Sequence, residues 1–150
     1  MGFIITIGNA EPWHEKIDNE LKAGWSVKIY NNTFAPNLPN DDCTKQSNCR
    51  RPSYTSWRDF LDKTNLIYWF EDKLNEKDLS CTILTQKDLE DTKESLNKWQ
   101  KNAILPPGFE KENYNGPSKY DPILGRLIWL NWWTEWSLKN CENPAIEIIR

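Results

Sequence analysis

The stretch that most limits what this chain can become is Asp121 to Cys141, Asp-Pro-Ile-Leu-Gly-Arg-Leu-Ile-Trp-Leu-Asn-Trp-Trp-Thr-Glu-Trp-Ser-Leu-Lys-Asn-Cys. Asp121 is a good N-cap, and Pro122 suits the first helical position, where a missing N–H costs nothing. The spacing predicts a helix over Pro122–Asn140, roughly 28 Å long. Projected as a helix, Ile123, Leu127, Leu130 and Leu138 form one face. Trp129, Trp132, Trp133 and Trp136 form a nearly opposite one, and Leu124 and Ile128 fill a third sector. A helix apolar almost all round is central to its fold. Arg126, Asn131 and Glu135 lie inside that apolar surround and need partners where they are buried.

Phe3 to Ile7 alternates and is rich in β-branched residues, which predicts a short strand ended by Gly8-Asn9. Glu11 to Lys22 is polar and reads as an irregular stretch with a loose helical turn. Trp25 to Tyr30 alternates again and predicts a second strand pairing with the first. Asn31 to Pro52 has no periodicity and reads as a long loop. A helix is expected from Ser56, with Ser56 and Asp59 placed as a capping box and Trp57, Phe60 and Leu61 on its apolar face. Asn65 interrupts it, and Leu66 to Phe70 resumes as a second short helix. Glu71 to Asp78 is a run of mixed charge that reads as a solvated turn, and Cys81 to Leu84 is extended.

Thr85 with Asp88 forms another capping-box pattern, and Leu84 and Leu89 occupy the two staple positions. The helix that follows has one apolar face, Leu89, Leu96 and Trp99 or Ala103, and belongs on the surface. Pro106-Pro107-Gly108 stops it, and residues 108–117 form a loop feeding the central helix. The tail, Pro144 to Arg150, is expected to add an edge strand. Residues 1–150 therefore predict a single α+β domain: a small antiparallel sheet with three to four helices packed around a central C-terminal helix.

Composition narrows the function classes. The net charge of −3 argues against general nucleic-acid binding, which needs a basic face. The apolar run Leu127 to Trp133 is far below the roughly 20 residues of a membrane span, and no signal-peptide pattern opens the chain. These features predict a cytoplasmic protein with no membrane association. Four cysteines, Cys43, Cys49, Cys81 and Cys141, lack a paired zinc-knuckle spacing and read as free thiols. No cofactor or metal is expected.

Nine Trp, five Tyr and five Phe give the chain its apolar area. They serve either a ring-built core or an aromatic pocket or interface. The chain has one His. Glu11, His14 and Glu15 lie close together, so His14 is either a general base oriented by a carboxylate or an ordinary surface histidine. No nucleophile elbow, Walker sequence, dinucleotide fingerprint or HExxH occurs, so an enzyme is the weaker class.

The stronger candidate is Arg50-Arg51 running into a helix start. Free N–H groups and guanidinium forks there would hold a phosphate or carboxylate, with Ser53, Tyr54 and Trp57 adding hydroxyls and an aromatic wall. Its alternative is a solvated loop with Arg salt bridges. Arg126, a turn before Trp129 and Leu130 and two before Trp133, would stack on indoles or pair with an acid such as Glu11 or Glu135.

Three stretches together, Ile7-Gly8-Asn9-Ala10-Glu11-Pro12, Arg51-Pro52-Ser53-Tyr54-Thr55-Ser56-Trp57 and Asp121-Pro122-Ile123-Leu124-Gly125-Arg126-Leu127-Ile128-Trp129-Leu130, resemble a family of small uncharacterised bacteriophage proteins. The resemblance carries no activity. It implies, by analogy, action on host processes, including defence systems whose messengers are nucleotides. The expected function is a non-enzymatic binding protein with an Arg- and Trp-lined pocket for a small anionic or nucleotide-like ligand. Arg50 and Arg51 would hold the anion, Tyr54, Trp57 and Trp129 the ring, and Asn9 and Glu11 the polar edge, with Ser53, Arg126 and Trp133 as further ligand-binding residues. The alternatives are a protein–protein inhibitor of a host enzyme and a hydrolase using Glu11 and His14, and a homo-oligomer is allowed under any of them.

Overall fold

The computed structural model describes residues 2, 4–18, 20–30, 47–69, 81–101 and 121–149. The elements in chain order are β1 (Ile4–Ile17), β2 (Glu20–Val27), β3 (Cys49–Arg50), α1 (Tyr54–Lys63), β4 (Thr82–Ile83), α2 (Gln86–Gln100), α3 (Pro122–Asn140) and β5 (Pro144–Ile149). A further helical turn occupies residues 67–69. The fold is α+β, with a small antiparallel sheet in the order β2-β1-β5-β4 and β3 also pairing with β1.

The predicted central helix is present and central. The Asp121 side chain accepts from the backbone N–H groups of Ile123 and Leu124 at 3.0 and 3.1 Å, and Pro122 opens the first turn. Its second oxygen accepts the Trp99 Nε1–H at 2.8 Å, tying the end of α2 to the start of α3. Helix α3 packs on α2 and across β1 and β5. Leu127, Trp129, Leu130 and Trp133 are buried among Ile5, Ile7, Trp57, Phe60, Leu61, Leu66, Trp69, Leu84 and Ile146. Two of the polar residues within that surround find partners. Asn131 Oδ1 accepts from the Thr92 hydroxyl at 3.2 Å, and Glu135 is held by Lys93 and Lys139 at 3.3 and 3.4 Å.

Helix ends follow local chemistry. Thr85 and Asp88 complete the capping box at α2. Helix α1 begins earlier than expected, because Ser53 rather than Ser56 is the N-cap. The Ser53 side chain accepts from Ser56 N–H, and the Ser56 hydroxyl points back to the Ser53 carbonyl. The Ser56/Asp59 capping box is therefore not formed at the helix start. At its other end Asn65 takes φ 60, with Leu66 N–H on the Leu61 carbonyl and Asn65 N–H on the Asp62 carbonyl. That is a Schellman ending, in which asparagine tolerates the left-handed position.

The strands depart from expectation. Gly8-Asn9 does not end β1, which continues to Ile17 and pairs back with β2 from Glu20, and Asp18 has φ 50. The polar stretch read as irregular is the arm of a hairpin, and β2 stops at Val27 instead of running to Tyr30. The tail is no edge strand: β5 lies between β1 and β4. The readings of residues 31–46, the mixed-charge turn with Phe70, the helix stop at Pro106-Pro107-Gly108, the loop at 108–117 and Cys43 lie outside the described residues.

One edge of β1 serves two strands, β3 at Ile5 and Thr6 and β2 from Ala10 onward. The buried Asn48 closes the fork between them. Its Oδ1 accepts Tyr30 N–H at 2.6 Å, and its Nδ2 donates to the carbonyls of Ile7 and Lys28 at 2.9 and 2.8 Å. Gly8 lies beside this fork, and a Cβ there would stand 2.9 Å from the Tyr30 ring.

Candidate functional site

Residue pairing in the sheet decides which side chains meet the helices. Ile5, Ile7, Asn9 and Glu11 alternate onto the face that carries α3, and Arg50, opposite Ile5, shares it. The Arg50 guanidinium is consequently buried, 6% exposed, and lies 5.4 Å from the centre of the Trp129 ring. Trp129 in turn donates Nε1–H to the Ser47 carbonyl at 2.7 Å. These contacts fix the segment before α1 against the core. Trp57 meets Trp129 edge-on at 6.4 Å.

The ten residues singled out from the sequence fall into separate places. Arg50, Trp57, Trp129 and Trp133 are buried within the fold, and the indoles of Trp129 and Trp133 are 0% exposed. Arg51, Ser53 and Tyr54 are exposed together at the start of α1, whose first turn carries no acid. Arg126 is half-buried on α3. Among the described residues it is Arg50, not Arg126, that stacks on an indole. Glu135 is engaged by lysines instead of Arg126.

Asn9 and Glu11 lie elsewhere, near the C-terminal end of α3. Asn9 Oδ1 accepts Asn143 N–H at 2.8 Å, pinning the turn between α3 and β5 to β1. Glu11 is exposed and lies close enough to Tyr30 to act on its hydroxyl. The Tyr30 phenol is pushed above its usual value by burial, Cys141 and Glu11, against a backbone hydrogen bond from Asn9. Tyr30 stacks on Trp133 at 6.4 Å and meets Trp136 edge-on at 5.3 Å. The His14 side chain, and with it the Glu11/His14 pairing, lies outside the described residues.

Sequence reasoning did not single out a second polar constellation, between residues 65–68 and α2. A cleft of about 250 Å³ there is lined by the polar side chains of Asn65, Tyr68, Lys87, Asp91, Glu94 and Lys98, together with Leu66 and Ser95. Trp69 Nε1–H donates to the Tyr68 hydroxyl, which donates to Asp91 Oδ2, each at 2.7 Å. Lys87 binds the same carboxylate oxygen at 2.7 Å. Burial and the Asp91 acceptor hold the Tyr68 phenol far above its usual range, so it stays protonated. Burial would raise the Asp91 carboxyl, but the bonds from Lys87 and Tyr68 outweigh it and hold the group below the usual value. The i, i+4 spacing of Lys87-Asp91 and Glu94-Lys98 was the available signal. It reads first as helix-surface pairing.

Burial pushes the Cys81 thiol up to about 12 and Cys141 up to about 11, values at which neither is an activated nucleophile at neutral pH. Cys49, Cys81 and Cys141 are free. Among the described residues no three His, Cys, Asp or Glu side chains gather to hold a metal ion, and no helix is long and apolar enough to cross a membrane. No protein-family model, curated protein or solved structure matches the chain.

Proposed function

We propose that this chain is a non-catalytic binding protein, of the phage-encoded kind, that takes a small anionic or nucleotide-like ligand at the start of α1 in the host cytoplasm. One observation carries the reading. Arg51, Ser53 and Tyr54 stand exposed together before an acid-free first helical turn, while Arg50 anchors the segment on Trp129. The helix N-terminus and a guanidinium fork both favour negative charge. The buried Trp57, Trp129 and Trp133 belong to the scaffold in this reading, and Tyr54 is the exposed ring beside Arg51 and Ser53. Sequestration of a host signal is the role such a protein would play.

Calorimetric titration with inorganic phosphate and a panel of nucleotides tests it. Arg51→Ala should weaken binding by about tenfold or more, and Arg51→Lys by less, because lysine keeps the charge but not the fork. Absence of binding across the panel, or binding indifferent to Arg51, removes the proposal.

A second reading, a protein that inhibits a host enzyme by contact, is favoured by a different observation. Trp25, Ile83 and Ile149 are 43%, 69% and 47% exposed. Their partners Pro12, Ala145 and Ile4 alternate onto one face of the sheet, the face turned away from α3. A host protein captured by the wild-type chain, lost on Ile83→Asp and retained on Arg51→Ala would favour this alternative.

A further inference from the structure

Four rings meet at the C-terminal half of α3. Trp133 is met edge-on by Trp132 at 4.9 Å and by Trp136 at 5.2 Å, and Tyr30 packs against Trp133 and Trp136. Trp133 is fully buried, whereas Tyr30, Trp132 and Trp136 are half-buried and keep part of their surfaces in solvent. The position is apart from the start of α1: Trp136 is seven residues beyond Trp129, about 10 Å along the helix.

Two negative groups lie beside these rings. Glu11 is exposed on β1 two residues beyond Asn9, whose side chain is bonded to the turn after α3, and its charge raises the Tyr30 phenol. The last carbonyls of α3 add the negative end of the helix dipole. The cation of the last turn, Lys139, is drawn to Glu135 at 3.4 Å. Ring faces, a carboxylate and a helix C-terminus favour the same kind of guest, a cation whose charge is spread over an apolar surface.

We infer that the corner between the end of α3 and β1 binds an organic ammonium ion, a quaternary or methylated amine, on the Tyr30 and Trp136 rings with Glu11 as counter-charge. A compact inorganic cation keeps its water and gains little from indole faces. A methylated ammonium is weakly hydrated and gains from both the rings and the carboxylate. This site is independent of the anion reading, since neither Arg51 nor Tyr54 takes part in it.

The test is titration of the full chain with choline, tetramethylammonium and the neutral isostere 3,3-dimethylbutan-1-ol, followed by tryptophan fluorescence at constant ionic strength. The expected result is saturable binding of both ammonium ions, with the neutral isostere weaker by about tenfold. Glu11→Gln should weaken the ammonium ions by about threefold and leave the melting temperature unchanged, because Glu11 is exposed. Trp136→Leu should abolish the response. Equal affinity for the neutral isostere, indifference to Glu11→Gln, or no saturable response to either ammonium ion overturns the proposal.

Discussion

The Arg50 guanidinium lies over the ring of Trp129, 5.4 Å from its centre, while the same indole hands its N–H to the Ser47 carbonyl. Two residues that sequence alone marks as ligand-binding thus satisfy one another inside the fold. Trp133, one turn on, is equally buried, but its Nε1 has no hydrogen-bond partner. The pair gives a clean contrast. Trp129→Phe loses a hydrogen bond and much of a cation–π contact, whereas Trp133→Phe removes an unsatisfied donor along with the same ring volume. Trp129→Phe should cost about 1–2 kcal/mol more in urea unfolding. Equal costs would show that the Arg50 and Ser47 contacts contribute nothing.

At the fork of the sheet, Asn48 satisfies one backbone N–H and two carbonyls. Asn48→Ala should destabilise by about 3 kcal/mol, since three groups lose their partner at once in a buried place. Gly8→Ala should also cost about 1–3 kcal/mol, because its Cβ meets the Tyr30 ring. Combining Gly8→Ala with Tyr30→Val should be less than additive, as the clash is gone. Denaturant melts of the single and double variants measure all three.

Asp121 does two jobs with its two oxygens, capping α3 and accepting from Trp99. Asp121→Ala should lose both and cost about 2 kcal/mol. Asp121→Asn keeps one oxygen for the cap but presents an NH₂ to the Trp99 N–H, so about half that loss is expected. A full loss in Asn, measured by thermal unfolding, would mean that the charge at the helix start matters more than the cap.

Two carboxylates give opposite pH dependences. The Asp91 carboxyl is held low overall, so its contribution is present above the ordinary carboxylate value and is lost as pH falls through the folded-state value. Tyr68→Phe removes one of the bonds that hold it low and should shrink the acid-side loss. Glu147 is raised by burial, although the Val27 backbone N–H donates to it. Its contribution is present at acid pH and lost as pH rises through the carboxylate range. Glu147→Gln should therefore raise the melting temperature at pH 7 and leave it unchanged near pH 3. Stabilisation at both pH values would trace the effect to packing rather than titration.

How legible each element was follows from the range of the forces that make it. The caps at Asp121 and Thr85, the stop at Asn65 and the apolar surround of α3 depend on residues within one or two turns, so the sequence carries them openly. The hairpin arm did not show itself. Glu11, Pro12, Lys16 and Trp25 are exposed on it, and an arm with solvent on its surface has no two-residue apolar alternation to read. The tail alternates as a strand should, but alternation is the same at a sheet's edge and in its middle.

Of the candidate site, the chain by itself determined which chemistries were on offer: guanidinium, indole, hydroxyl and carboxylate groups near helix ends. Only the tertiary structure decided which of them face water. Pairing Arg50 with Ile5 turns it beneath α3, while its neighbour Arg51, one residue past the end of β3, is exposed. Which side is the inside depends on what packs there, and α3 begins more than seventy residues later.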